Sequence, residues 1–284
     1  MRIWLPVAAM LLAVQALPAL ADRDPTSGAP LPPRKPSTPS PITDHFYIRA
    51  SYYVPDARTH LRVDPSFAAP GVTGTPISAE NDLGLPDRLH EGRVEFMFRM
   101  RERNKVRVDY LQANRSGSKV LSNDVIFNND TFAAGQLSQS SLNWQMFDIT
   151  YSYSLYRSDR LEIGAGAGVY LLQIQATSAV PATFQSQTVS AAGPVPLPSL
   201  DLAWHIWRGF AFTARGAYLQ VRLNGVHGWL ADLHEDLQYR WNPNFVTGLG
   251  YSAVRTSLER QGGSFPGEFA MSISGPEAFL RFSF

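Results

Sequence analysis

The residues whose types and spacing best suit chemistry are Asp232 and His234, which are separated by a single position. Side chains two residues apart on a β-strand point to the same side, so this carboxylate and this imidazole would share one space. Such a pair can act in general acid–base catalysis. The acids expected nearby are Glu80 and Asp82, in a predicted loop, and the four residues form a candidate hydrolytic site. A histidine beside a loop is more often a polar surface group.

Other catalytic and metal chemistry has little support in the sequence. The chain has no cysteine, which excludes disulfides, thiolate metal sites and cysteine nucleophiles. His60, His90 and His227 lie in or beside predicted loops without the spacing of metal ligands. The residues after His205 and His234 do not form the His-x-Ser pattern of a strand-borne serine hydrolase. We therefore expect no metal or other cofactor.

Three glycines spaced by two, at positions 164, 166 and 168, superficially suggest a phosphate-binding loop. A phosphate-binding loop must lead into a helix, and no helical pattern follows here. The spacing instead puts all three on one face of a strand, where small residues make room for a bulky neighbour or let a sheet curve.

The elements that must position these residues are β-strands. From His45 onward, apolar residues occupy every second position in ten segments, for example in 94–100 and 147–155. A period of two indicates strands with one apolar and one polar face. The polar faces carry full charges of both signs, and the segments approach the ~9–11 residues that a tilted membrane strand requires. Both features favour a membrane barrel over a soluble sandwich.

The connections between the segments alternate in length. Tight turns are predicted at 101–105, 157–160, 207–209 and 241–244, and long or moderate loops at 56–88, 116–140, 177–194 and 259–270. Short turns at one end and long loops at the other are typical of transmembrane barrels. The sequence therefore predicts an all-β fold, an antiparallel up-and-down transmembrane β-barrel of about ten strands. Eight is the alternative, if two segments are loop extensions beyond the membrane.

The inward face of this barrel would carry a network of charged side chains. In a barrel of roughly eight to ten strands the interior is normally filled by side chains, and buried charges must pair. The alternative is a narrow porin-like channel for small polar or amphipathic solutes, whose selectivity these charges would tune. The predicted lumen residues are Arg49, Arg93, Glu95, Arg99, Arg107, Asp109, Asp148, Glu162, Asp201, Arg215, Asp236, Arg240, Glu277 and Arg281.

The start of the chain predicts export. Residues 1–21 have a positive start, an apolar run and the small-x-small sequence Ala19-Leu20-Ala21, which together indicate a cleavable signal peptide. A membrane anchor is the alternative, although Pro6, Gln15 and Pro18 interrupt the apolar run. Residues 22–43 are a Pro-rich periplasmic linker and residues 44–284 the barrel domain. A net charge of +1 gives no basic surface for nucleic acid.

The end of the chain carries a resemblance. Alternating apolar residues Leu280, Phe282 and Phe284 end the sequence on phenylalanine, which resembles the closing strand that outer-membrane proteins present to the barrel-assembly machinery. The domain as a whole resembles the small outer-membrane β-barrels of the OmpA-, OmpX- and OmpW-like class. That resemblance implies insertion in the outer membrane of a Gram-negative bacterium, among outer-membrane lipid and lipopolysaccharide, and it transfers no activity.

A second resemblance concerns the candidate hydrolytic site. The omptin outer-membrane proteases use a similar Asp-x-His pair opposite paired acids, at the extracellular rim, to activate water. Here the acid pair is Glu80-x-Asp82 on the first loop, and nothing else in the chain resembles omptins. The prediction is therefore a non-enzymatic barrel with a structural or surface-interaction role, with an extracellular ligand bound through the long loops. A channel and a surface hydrolase are the alternatives.

Overall fold

The computed structural model describes residues 39–65, 73–127, 130–181, 185–223, 225–260 and 266–284. The predicted signal peptide and the predicted linker up to residue 38 lie outside these ranges. No helix in the described ranges is long and apolar enough to cross a membrane.

Strands make up nearly all of the described chain. Their bounds are β1 Phe46–Tyr53, β2 Asp56–Val63, β3 Ile77–Ser78, β4 Glu91–Arg101, β5 Asn104–Val120, β6 Val125–Phe127, β7 Asp130–Phe132, β8 Leu137–Arg157, β9 Leu161–Val180, β10 Gln185–Trp207, β11 Phe210–Leu223, β12 Val226–Arg240, β13 Phe245–Arg260 and β14 Gly267–Ser283.

The long strands pair antiparallel with their sequence neighbours, and the last returns to the first. Tyr47 of β1 pairs with Ser283 of β14, and the backbone groups of Phe46 and Phe284 exchange hydrogen bonds of 3.1 and 2.8 Å. The first barrel strand is divided at residues 54–55 into β1 and β2, which both pair with β14. The described residues thus form a closed barrel of ten strands. The predicted number is confirmed, and the alternative of eight is wrong.

The barrel wall continues well beyond the predicted apolar segments. Strand pairing extends into the connections expected at 116–140 and 177–194, since β5 and β8 pair as far as Val120 and Leu137. β9 and β10 pair as far as Val180 and Gln185. These extensions are rich in Ser, Thr and Gln, so they lack the apolar alternation on which the prediction depended.

The outer surface of the barrel carries an exposed apolar belt. Phe96 and Phe98 on β4, Leu249 on β13 and Leu280 and Phe282 on β14 all point outward. Aromatic residues border the belt at both edges. The edge near the tight turns has Tyr156, Trp207 and Trp241, and the opposite edge has Tyr52, Tyr110, Tyr218 and Trp229. An outward apolar band between aromatic girdles is the surface of a membrane-spanning barrel.

The connections at the outer end fold over the barrel mouth. Residues 77–89 and the β6–β7 hairpin pack against the inner faces of the strand extensions, and Phe127 and Phe132 are almost fully buried. The apolar residues of this outer cluster are Leu61, Val63, Ile77, Ala79, Leu83, Leu85, Leu121, Val125, Phe127, Phe132, Leu142 and Val180.

Candidate functional site

The lumen holds the fourteen charged residues that the alternation places on the inner face. Twelve of them are buried, and the guanidinium-bearing side chains of Arg107 and Arg215 are 15% and 13% exposed. Neighbouring lumen positions differ by two residues, which is why alternation alone selects them. The structure brings nearly all of them into direct contact with an opposite charge.

The middle of the lumen is a connected group of ion pairs. Arg93 forms a forked pair with Asp109, with nitrogen–oxygen distances of 2.7–3.0 Å. Arg215 bridges Asp109, at 2.7 Å, and Glu95. Because Arg93 and Glu95 are on β4, Asp109 is on β5 and Arg215 is on β11, these bonds tie the walls together across the interior.

A second group joins the strands next to it. Arg49 contacts Asp236 at 2.7 Å and also pairs with Glu277. Arg107 lies 3.5 Å from Glu95. Asp148 differs from the others, since it accepts a hydrogen bond from Thr150 at 3.1 Å and lies opposite Asp109 in the strand pairing.

Nearer the tight turns, a third group includes a lysine. Arg99 donates two hydrogen bonds of 2.9 Å to the carboxylate of Glu162. Lys105 pairs with Asp201 and lies 3.3 Å from Glu162. The sequence analysis had put Lys105 in a turn, although it continues the alternation of Arg107 and Asp109.

The segment before β1 closes the end of the barrel that carries the tight turns. Asp44 is buried and accepts hydrogen bonds from Arg240 at 2.6 and 2.9 Å and from Arg281 at 3.1 Å. Ile42 is 2% exposed, and its carbonyl accepts a hydrogen bond from Arg157. Residues 39–44, which we call the stopper, therefore lie inside the barrel mouth. Sequence reasoning missed this role because it assigned residues 22–43 to an extended linker.

The lumen network is nearly balanced in charge. Among the described residues it contains eight cations, Arg49, Arg93, Arg99, Lys105, Arg107, Arg215, Arg240 and Arg281, and nine acids, Asp44, Glu95, Asp109, Asp148, Glu162, Asp201, Asp232, Asp236 and Glu277. Paired opposite charges satisfy one another in a site with little water, where an unpaired charge would be costly.

An apolar layer lies above the charges, toward the outer mouth. On each strand these residues lie nearer the outer mouth than the charged positions do. Leu111 is on the mouth side of Asp109 on β5, and Leu230 is on the mouth side of Asp232 on β12. Its buried members are Tyr53, Ala57, Leu89, Leu111, Ala113, Trp144, Met146, Tyr170, Leu197, Ala217, Leu230, Val254, Met271 and Ile273. We call this group the apolar plug, since it fills the cross-section between the charged lumen and the outer cluster.

Asp232 and His234 lie in the lumen below the apolar plug. His234 is 2% exposed, with Nε2 at 3.0 Å from Glu277 and Nδ1 at 3.4 Å from Arg215. Asp232 accepts a hydrogen bond of 3.1 Å from the hydroxyl of Tyr170. The prediction that this pair lies at the extracellular rim is wrong, because Leu230 and the rest of the plug separate it from the mouth.

Glu80 and Asp82 are on the other side of the plug. The carboxylate of Glu80 accepts hydrogen bonds from the backbone of Thr59, at 3.0 Å, and from Arg115. Asp82 accepts one of 2.7 Å from the backbone of Ser78, within its own loop. In the described residues the two acids share no partner with Asp232 or His234, so the four candidate residues do not form one site. Their contacts instead fold the first loop onto the barrel.

The glycines of β9 make room for the lumen contents. A Cβ at Gly164 would overlap the carboxylate of Asp201, and one at Gly168 would overlap the hydroxyl of Thr150. At Gly166 the clash would be with the backbone carbonyl of Tyr151 on the neighbouring strand. These glycines thus have the structural role that their spacing indicated.

The space left in the lumen is small. A cavity bordered by Tyr47, Arg49, Arg107, Arg215 and His234 has a volume of about 50 Å³. A cavity beside Asp148 and Asp232 has about 10 Å³. One water needs roughly 10–15 Å³ of such volume, so these spaces hold a few water molecules and no larger solute.

No protein-family model and no curated protein matches the sequence. Among solved structures, the fold is similar to that of the outer-membrane protease OmpT from Escherichia coli, with a TM-score of 0.51 and 10% identity over 84% of this chain and 97% of that chain. The attachment invasion locus protein Ail of Yersinia pestis has a TM-score of 0.34 and 9% sequence identity, over 84% of this chain and 100% of that chain. The Pseudomonas putida toluene transporter TodX has a TM-score of 0.32 and 9% sequence identity, over 87% of this chain and 92% of that chain.

At 10% identity the likeness to OmpT concerns the fold and not the activity. It agrees with what the residues show: ten antiparallel strands closed into a barrel, a polar interior and an apolar outer belt. The chain has the fold of an outer-membrane β-barrel.

Proposed function

We propose that the protein is a non-conducting β-barrel of the Gram-negative outer membrane, without enzymatic activity, that acts as a rigid structural or surface-interaction scaffold. The observation that carries this proposal is the closure of the lumen at three successive levels. The stopper occupies the periplasmic mouth, ion pairs fill the middle, and the apolar plug seals the part below the outer loops.

The membrane setting is supported by the outer belt and by the sequence. An apolar belt of this extent is unfavourable in water and favourable in lipid. Its width suits a bilayer, since Trp229 and Trp241, which border the belt on opposite edges, are twelve positions apart, roughly 28 Å along the membrane normal at ~3.3 Å per residue and a tilt of ~45°. Residues 1–21 supply the expected signal peptide, and the terminal Leu280, Phe282 and Phe284 the expected signal to the barrel-assembly machinery.

The surface role is supported by the outer extensions of the strands. On β9 the outward apolar residues end at Leu171 and the strand continues to Val180. At ~3.3 Å per residue and a tilt of ~45°, that extension rises roughly 20 Å above the belt. Its polar outer face, together with loops fixed by the outer cluster, offers a rigid surface to an extracellular ligand or to lipopolysaccharide.

The decisive experiment is single-channel recording from the refolded mature protein in a planar bilayer. Slower gel migration after boiling, the mark of a closed barrel, confirms folding beforehand. We expect a folded protein that gives no conductance steps. Reproducible steps from folded protein would replace the scaffold with the narrow channel and make the lumen charges its selectivity residues. A chain that stays soluble and never inserts would contradict the membrane setting itself.

A further inference from the structure

One carboxylate lies on the wrong face of the barrel. Along β12 the inward positions from Asp232 to Arg240 are polar, whereas Leu233 and Leu237 point outward and are about half exposed. Glu235 lies between these two leucines and is itself exposed on the outer face. An acidic side chain that faces lipid is unfavourable unless something neutralises or hydrogen-bonds it.

The depth of Glu235 in the membrane makes its exposure to lipid especially unfavourable. Glu235 is six residues from Trp229 and six from Trp241, which mark the two aromatic edges of the belt on this strand. Twelve residues at ~3.3 Å and a tilt of ~45° span roughly 28 Å, close to the thickness of the hydrocarbon core. The carboxylate is therefore near the middle of the bilayer, too deep for its short side chain to reach the interface.

A second polar group lies beside it on the same face. Tyr251 of β13 pairs directly with Glu235 and is 43% exposed. In the part of the chain that the structure describes, neither the Glu235 carboxylate nor the Tyr251 hydroxyl has a hydrogen-bond partner. Small residues lie beside each group, with Ala214 opposite Glu235 on β11 and Ala253 next along β13, and exposed leucine side chains border the two groups along their own strands. A partner surface can thus approach both groups closely.

We infer that this face, formed by β11, β12 and β13, binds a second copy of the chain in the membrane. One copy presents both an acceptor, Glu235, and a donor, Tyr251, at the same depth. A two-fold axis along the membrane normal brings the donor of each copy to the acceptor of the other, which is the self-complementary pattern of an isologous interface. Two reciprocal hydrogen bonds then satisfy all four groups, and polar contacts of this kind hold membrane segments together.

The inference rests on the proposed membrane setting, and its first test uses the absence of natural cysteines. Leu233→Cys places one thiol on the proposed interface. Ile149→Cys is the matched control, since both residues point outward and are 47% exposed, but Ile149 is on β8, in another part of the wall. After oxidation in vesicles of phosphatidylethanolamine and phosphatidylglycerol, at low protein density, we expect covalent dimers from Leu233→Cys and none from Ile149→Cys.

The second test separates the hydrogen bonds from general packing. Energy transfer between labelled copies in the same vesicles measures dimerisation. Glu235→Leu and Tyr251→Phe should each weaken it about tenfold, while Glu235→Gln, which still accepts a hydrogen bond, should retain most of it. Tyr153→Phe is the control, because Tyr153 is also outward-facing and 42% exposed on β8.

The outcomes are distinct. A Leu233→Cys protein that stays monomeric, or a Glu235→Leu protein that dimerises as well as the natural chain, overturns the inference. Heat-modifiable migration shows that each variant is folded, and Tyr251→Phe provides the same test if Glu235→Leu does not fold. A protein that floats with vesicles but remains monomeric contradicts the dimer and leaves the membrane setting intact. A protein that does not float contradicts the membrane setting.

Discussion

Asp44 and Arg240 are 196 positions apart in the chain, and two hydrogen bonds of 2.6 and 2.9 Å join them inside the periplasmic mouth of the barrel. Arg281 approaches the same carboxylate at 3.1 Å. The segment that enters the barrel is thus fastened to the last strands of the wall. The start of the folded domain is therefore a structural part of the lumen and not a free tether.

Substitution of Asp44 by alanine should destabilise the barrel. The change leaves Arg240 and Arg281 without their carboxylate in a buried place, and breaking such a pair costs about 3 kcal/mol. Urea unfolding in lipid vesicles, followed by tryptophan fluorescence, measures the free energy of unfolding. Asp56→Ala is the control, since the Asp56–Arg88 pair is on the exposed surface and should contribute less than about 1 kcal/mol. Equal effects of the two substitutions would show that the stopper is not held by this ion pair.

Trp144→Ala should weaken the barrel further and admit water to its upper part. Trp144 is 1% exposed at the centre of the apolar plug, and removing a buried ring of this size costs about 3–5 kcal/mol. The same unfolding measurement gives the loss of stability, and faster hydrogen exchange of the backbone amides around the plug reports entry of solvent. Trp229→Phe, on the outer face, should change stability by less than about 1 kcal/mol. If Trp144→Ala left the free energy of unfolding unchanged, the plug would be loosely packed.

The double substitution Asp232→Ala with His234→Ala should leave peptide hydrolysis unchanged. Both groups are below the apolar plug and Glu80 is above it, so these residues do not form a common site that a peptide could enter. Cleavage of fluorogenic peptides with basic residues, in the presence of lipopolysaccharide, should be absent from the natural protein and from the variant alike. Cleavage by the natural protein that the double substitution abolishes would restore the hydrolase hypothesis.

Gly166→Ala should impair closure of the barrel. The added methyl group would meet the carbonyl of Tyr151, which is backbone and cannot move aside without breaking the β8–β9 pairing. We expect a large loss of the heat-modifiable folded species after refolding. Gly92→Ala is the matched control, because a Cβ there meets nothing within 4 Å. Normal folding of Gly166→Ala would show that the wall is more adaptable at this point than its geometry indicates.

The fold was predictable because a barrel wall between lipid and a polar lumen imposes a period of two on every strand. The alternation holds within the membrane belt, because Phe96 there faces lipid and the neighbouring Glu95 faces the polar lumen. It stops in the outer extensions, since water contacts the outer face there and Gln139 or Ser141 needs no apolar alternation. The alternation therefore predicts ten strands, and the parts of the strands beyond the belt, which lack it, were predicted as loops.

The lumen was predictable for the same reason, but its contacts were not. Alternation identifies Arg93 and Asp109 as inward-facing, whereas only the strand registers show that they meet. Glu80 was predicted to lie near Asp232 because both were expected at the outer mouth. The apolar plug separates them, and it forms by packing between strands that are distant in the sequence, which alternation along one strand does not show. Asp44 was missed because it follows a proline-rich stretch that has no periodicity of its own.

The junction of β14 with β1 and β2 has a consequence for how the chain can reach this structure. The strands that close the wall contain residues 46 and 283, so their pairing requires nearly the whole domain to be present. Such long-range pairing is slow to form, because a very large loop must be ordered first. The stopper depends on Arg240 and Arg281 and so docks late as well. We expect one folding intermediate in which the stopper has not yet entered the barrel and β14 is not yet paired with β1 and β2. This intermediate should persist until β14 pairs with both.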